Sequence, residues 1–350
     1  MIRRIALAAC TLAALFGLRA EADAPARTAS MPGPSDGRAH PDAPERNAAC
    51  ERCHLDIAAE WRASLHRQAY TNASFAAALR REPIAFCRGC HAPEADPERR
   101  APQALAHLGV GCVSCHTPNG GDVLAAPRSH LSQETAPHPV QRDAKFATAD
   151  ACASCHQFEF PGSRDLMQST IREHAASPHA TTPCAGCHMP ITADAADPTR
   201  RHRSHAFIAS RDPAFVRQAV RVQAIRDDTT TILLTLTPGI VGHAFPTGDL
   251  FRRLVVVAEV PGDDGRPITT ATRYLTRHFT LSRREVADDR VGAPDLAGGD
   301  QLIPFDLGPP AIGREIRWRV AYERVAFPRA SNDDAEVEAS IIVATGTLGP

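Results

Sequence analysis

Five times along this chain two cysteines stand three positions apart with a histidine directly after the second. The units are Cys50-Cys53-His54, Cys87-Cys90-His91, Cys112-Cys115-His116, Cys152-Cys155-His156 and Cys184-Cys187-His188. Two thiols on one helical turn reach the two vinyl groups of one porphyrin, and the next imidazole then lies beneath the iron. At this chain's cysteine and histidine frequencies, chance supplies only about 0.02 such units. Structural zinc requires no histidine after every Cys-x-x-Cys pair, and disulfides have no use for the five histidines. A thioredoxin-like motif would occur once, beside a βαβ pattern. The spacing therefore predicts five covalently bound heme c groups, with ten cysteines as attachment points and five histidines as proximal metal ligands.

The opposite face of each iron needs a second ligand or stays open. Eleven of the 16 histidines lie outside the motifs: 40, 66, 107, 130, 138, 174, 179, 202, 205, 243 and 278. His66, in EWRASLHRQA, leads the distal candidates; on a helix continuous from the first motif it would stand about 18 Å from His54, so it should serve a neighbouring haem. His205, in RRHRSHAF, and His243, in GHAFPTGD, come next, with His202 competing for the role of His205. His130 and His138 follow, ahead of His107, His174 and His179. Met167 is the one plausible methionine ligand. A lysine-ligated haem is excluded, because Lys145 is the only lysine and follows Ala144.

The elements that must position these residues fall into two textures. From Cys50 to about Ser210 short helical stretches alternate with polar, proline-containing loops, and the motif intervals leave under 40 residues per haem. Porphyrins must then form much of the core of a mainly α domain over 46–210. After Asp212 the chain is rich in Val, Ile, Thr and Leu with partial alternation between Gly, Pro and Asp turns. Strands are expected at Ala219–Arg226, Thr229–Thr237, Leu254–Val260, Glu315–Val325 and Glu336–Thr345, giving an all-β sandwich domain over 211–350. Residues 1–22, with Arg3 and Arg4 before an apolar run, read as a signal peptide cleaved after Ala22, and the Pro- and Ala-rich 23–45 as a flexible linker. No later segment approaches the length of a membrane span.

Cleavage would leave 36 basic and 39 acidic residues, a formal charge of −3. Five ferric haems at about −1 each bring this to roughly −8, which favours partners with basic docking faces and predicts no nucleic-acid partner.

The five motifs, the WRASLH segment, CHMP at Cys187 to Pro190, the step His205-Ala206-Phe207 and GHAFPTG resemble multihaem c-type cytochromes. The relevant superfamily contains the tetrahaem nitrification cytochrome, pentahaem nitrite reductase and octahaem hydroxylamine oxidoreductase, and particularly those relatives with an appended β-sandwich bearing a GHxFPTG loop. The resemblance covers residues 46 to 260. It implies a compact array with mostly bis-histidine ligation, His66, His205 and His243 as distal ligands, and periplasmic or extracellular electron transfer.

The leading expectation is a periplasmic carrier passing electrons between a membrane donor and a downstream acceptor. Its partners would be redox proteins, a membrane quinol-oxidising complex or an outer-membrane conduit. The alternative is an oxidoreductase acting on a small nitrogen or sulfur compound at one five-coordinate haem.

Overall fold

The computed structural model describes residues 31–127, 137–293, 299–327 and 332–350. The expected signal peptide lies outside the described residues.

Each cysteine-histidine unit is built on a very short helix. The helices Ala85–His91, Cys112–His116, Asp150–His156 and Cys184–His188 all end on the motif histidine, while Ala43–Glu51 carries Cys50 and His54 caps the next helix, Leu55–Ala63. Helices of five to nine residues are not stable alone, so tertiary contacts must hold them. The side-chain core here is small and alanine-rich, built around Trp61, Tyr70, Leu105, Leu108 and Val113. Trp61 anchors it by donating its indole N–H to the Val110 carbonyl at 2.8 Å.

The helix Leu55–Ala63 stops at Ser64, whose backbone is extended (ψ 163°), so the continuous helix considered from sequence is broken before His66. The turn carrying His66 is instead held from outside, by Val110 N–H donating to the His66 carbonyl at 2.9 Å. Gly109 makes that approach possible: its φ is +61°, and a Cβ there would fall 2.5 Å from the same carbonyl oxygen.

Residues 31–45 depart from the flexible linker expected from their composition. Ser35 N–H donates to Gly89 O at 2.9 Å, His40 N–H to Glu94 O at 2.8 Å, and the Ser35 hydroxyl to Ala95 O at 2.7 Å. Backbone groups, invisible to composition, fasten this stretch beside the second motif.

The β-rich part is built on two antiparallel sheets sharing one core, with a small antiparallel pair, Arg277–Phe279 and Glu285–Asp288, beside them. One sheet runs Pro267–Leu275, Arg252–Pro261, Ile316–Phe327, Glu336–Leu348; the other runs Gln301–Asp306, Thr231–Pro238, Val220–Arg226. Alternation places Ile232, Leu234 and Leu236 of one sheet against Leu254, Val256, Ala258 and Val260 of the other. The five strands expected from sequence are present; Pro267–Leu275, Arg277–Phe279, Glu285–Asp288 and Gln301–Asp306 are additional.

The two parts are bolted together by buried ions. Glu173, on the helix Thr170–Ala175, is 2 % exposed and accepts from Arg290 at 2.7 Å and from the hydroxyls of Ser169 and Thr247. Arg290 also pairs with Asp288 at 2.7 Å and donates to Pro246 O at 2.9 Å. Arg277 reaches from the β part to the carbonyls of Leu166 and Met167 at 2.6 and 2.9 Å. Among the described residues no helix is long and apolar enough to cross a membrane.

Candidate haem sites

The fold sets four motif histidines opposite four others. Ring centroids are 6.4 Å apart for His54 and His138, and 6.2 Å for each of His156 with His66, His116 with His205, and His188 with His243. A metal–imidazole bond of about 2.0 Å plus about 1.1 Å from nitrogen to ring centre, doubled, is about 6.2 Å. Two ring nitrogens can therefore bind one iron between them at all four places, and the residues fit a covalent haem. Each pair comes from distant sequence, so tertiary structure assembles the sites.

The second ring nitrogen of most of these histidines is engaged. Nδ1 of His91, His116 and His188 lies 2.7, 2.8 and 2.7 Å from the carbonyls of Ala69, Leu124 and Ile208. Nδ1 of His205 and His243 lies 2.8 and 2.9 Å from Arg203 O and Ala244 O. Such bonds fix the tautomer and leave Nε2 for the metal. His156 Nδ1 meets only the Gln168 side-chain amide, at 3.1 Å, and His66 Nδ1 is buried without a partner. Burial pushes His66 down to about 3, and His156 and His205 down to about 4. All three are thus held in the neutral form that a metal needs.

His91 is different. No histidine faces it among the described residues; instead the Phe75 ring stacks flat on its imidazole, centroids 3.7 Å apart and planes 5° from parallel. Phe75 sits on the amphipathic helix Ala73–Arg81, which Asn72 caps by accepting from Phe75 N–H at 3.1 Å. The stack fixes the plane of the His91 ring. His130 lies outside the described residues.

Contacts between motifs give an order. The sulfurs of Cys50 and Cys112 lie side by side, as do those of Cys90 and Cys155 and of Cys152 and Cys184. The Phe207 ring lies between His66 and His205, at 4.2 and 5.6 Å from their ring centres. The first motif thus adjoins the third, the third adjoins the fourth through Phe207, and the fourth touches both the second and the fifth.

Four of the remaining histidines serve other contacts. His202 is held between Asp194 at 2.5 Å and Glu60 at 3.2 Å, and Glu60 also accepts from His205 N–H at 2.8 Å, so His202 supports His205 rather than replacing it. His174 lies 2.9 Å from Thr182 O, His278 pairs with Asp289 at 3.2 Å, and His40 with Asp36 at 3.5 Å. The Met167 carbonyl is held by Arg277. Sequence reasoning did not find Phe75, since an aromatic on a short helix carries no signal of stacking on a residue 16 positions away.

His243 lies in the loop between the strands Thr231–Pro238 and Arg252–Pro261. The Glu173–Arg290 bolt grips that loop at Pro246 and Thr247 and so holds it against the helical part. The β-rich part thereby places one candidate distal histidine, His243, opposite His188.

A family model described as cytochrome c554 and c-prime matches residues 49–117, which take in the first three motifs. No curated protein matches. Among solved structures, MtrC from Shewanella baltica OS185 is similar at 16% identity over 91% of this chain and 46% of that one, but its TM-score of 0.21 carries no argument. A penta-heme cytochrome c552 from Thermochromatium tepidum is similar at 16% identity and a TM-score of 0.65, over 87% of this chain and 98% of that one. Over 87% of its length this chain shares the fold of that penta-heme cytochrome c552.

Proposed function

We propose that this protein is an exported pentahaem c-type cytochrome that relays single electrons between a membrane donor and a downstream acceptor in the periplasm or outside the cell. The observation that carries the reading is the set of four facing histidine pairs at 6.2–6.4 Å, each joining one motif histidine to a ligand from elsewhere. When bound, haem supplies a one-electron Fe(III)/Fe(II) couple. The chain's residues supply close spacing, since neighbouring motifs touch through their own cysteines, and axial closure, since paired imidazoles leave no position for substrate. A redox protein, a quinol-oxidising complex or an outer-membrane conduit is the fitting kind of partner.

A second reading is favoured by one feature, the absence of a facing imidazole at His91 among the described residues. An iron there would carry an open position where a small nitrogen or sulfur compound could bind, and the same chain would then act as an oxidoreductase.

Haem quantitation on the purified protein, with cyanide and nitric oxide binding to the ferric and ferrous forms, tests both. Five haems per chain with one rapidly reacting site are expected. Fewer than five haems would overturn the first reading. A sixth ligand at every iron would overturn the second, and His130→Ala creating a reactive site would identify that ligand.

A further inference from the structure

We propose that Phe207 is the positioning residue for His66: it holds that ring across the plane of His156 and makes theirs the most strongly crossed of the four facing pairs. The inference rests on the haem reading above.

The facing rings meet at very different angles. Their planes are 8° apart for His188 with His243, 36° for His116 with His205, 61° for His54 with His138 and 73° for His156 with His66. A ring bound to a metal through one nitrogen still turns about that bond unless its other nitrogen or its faces are held. Carbonyls hold Nδ1 of His116, His188, His205 and His243 at 2.7–2.9 Å. His66 Nδ1 has no such partner. The aromatic ring packed on His66 is instead Phe207, with centroids 4.2 Å apart and planes at 83°, the edge-to-face arrangement that aromatic pairs favour.

The backbone keeps Phe207 in place. Its φ is +50°, in the left-handed region that a bulky side chain rarely adopts and that persists only where the surroundings fix it. Both flanks are fixed. Glu60 accepts from His205 N–H at 2.8 Å and the Ser204 hydroxyl from Ala206 N–H at 3.3 Å, while His188 Nδ1 lies 2.7 Å from the Ile208 carbonyl. One short turn thus gives the His205 ring to the third motif's site, the Phe207 ring to the fourth's and the Ile208 carbonyl to the fifth's.

The angle between axial rings has a spectroscopic signature. Parallel imidazoles donate into the same iron d orbital and split it from its partner; crossed imidazoles donate into both and leave them nearly equal, which widens the g anisotropy of low-spin ferric haem.

Electron paramagnetic resonance of the full-length, haem-loaded ferric protein tests the assignment. His66→Met removes one bis-histidine signal and so identifies it, and in the wild-type protein that signal should be the most anisotropic of the four. Phe207→Leu keeps apolar bulk but loses the flat ring; it should move that signal to a lower maximum g and leave the other three in place. Phe207→Tyr, which keeps the ring, should retain the wild-type position. If His66→Met does not take up haem, the Phe207→Leu result stands alone, since it must move the most anisotropic signal and no other. The proposal is overturned if the identified signal is not the most anisotropic, or if Phe207→Leu carrying its full haem complement leaves that signal unmoved or shifts all four alike. Should a haem-loaded His66→Met alter no low-spin signal, the assignment of His66 to an iron has failed instead.

Discussion

A histidine can bind a metal only while neutral, and the depressed His66, His156 and His205 show how this chain secures that: burial removes the solvation a charged ring would need. Neighbouring histidines deepen the effect, because like charges in one cluster cannot all be accommodated. His243→Ala should convert one low-spin haem to high-spin, with the other signals unchanged; magnetic circular dichroism would read the change, and four untouched sites plus no new high-spin band would show that His243 binds no iron. Phe75→Ala removes the ring stacked on His91 and should broaden the signal of that site alone, since no other motif histidine touches Phe75 in a ring contact among the described residues. The candidate proximal histidines were legible in the sequence because the chemistry that would fix them is local, five residues long. The histidines that face them were legible only in part. His66, His205 and His243 stood out through the segments around them, whereas His138 was one of several ambiguous candidates, ranked behind His130, until folding placed it 6.4 Å from His54.

At the scale of elements, the short motif helices depend on close backbone approaches. Gly109→Ala should destabilise the helical part by about 1–3 kcal/mol, since it adds both a strained positive φ and a clash with the His66 carbonyl. Thermal melts would register the loss, and the spectrum of the His66 site should change with it. The strand Thr231–Pro238 was readable because it alternates buried Ile232, Leu234 and Leu236 with threonines and Leu233. Pro267–Leu275 was not, because most of its side chains face solvent and its threonines and Arg273 give no apolar period. Gln301–Asp306 contains Pro304, which reads as a break but is accommodated in a strand with one sheet neighbour. Residues 31–45 misled for the opposite reason: their side chains look like a linker while their backbone is hydrogen-bonded to the second motif region.

For the whole molecule, the decisive join is the buried cluster of Glu173, Arg290, Asp288, Thr247 and Ser169. Burial raises the Glu173 carboxyl, but Arg290 and the hydroxyls outweigh it, and the group lies below its ordinary value. A carboxylate depressed on folding contributes stability that is fully present above its unfolded value near 4.5 and is lost as pH falls through the folded value. Chemical unfolding should show a stability decline beginning below about pH 4.5, and Glu173→Gln should flatten it. Arg290→Met strands two carboxylates and should cost about 3–5 kcal/mol. Because the same cluster grips the His243 loop, that loss should be accompanied by weakened ligation at the fifth motif and at no other.

The proposal that organises all of this is four iron sites each faced by two histidines, with His91 facing none among the described residues. Mössbauer spectroscopy of the oxidised, iron-57-enriched protein, combined with spin quantitation, measures it directly. Four low-spin ferric irons and one high-spin ferric iron per chain are predicted. Five low-spin irons would overturn the open site at His91, and more than one high-spin iron in protein carrying all five haems would contradict the four facing histidine pairs on which the electron relay rests.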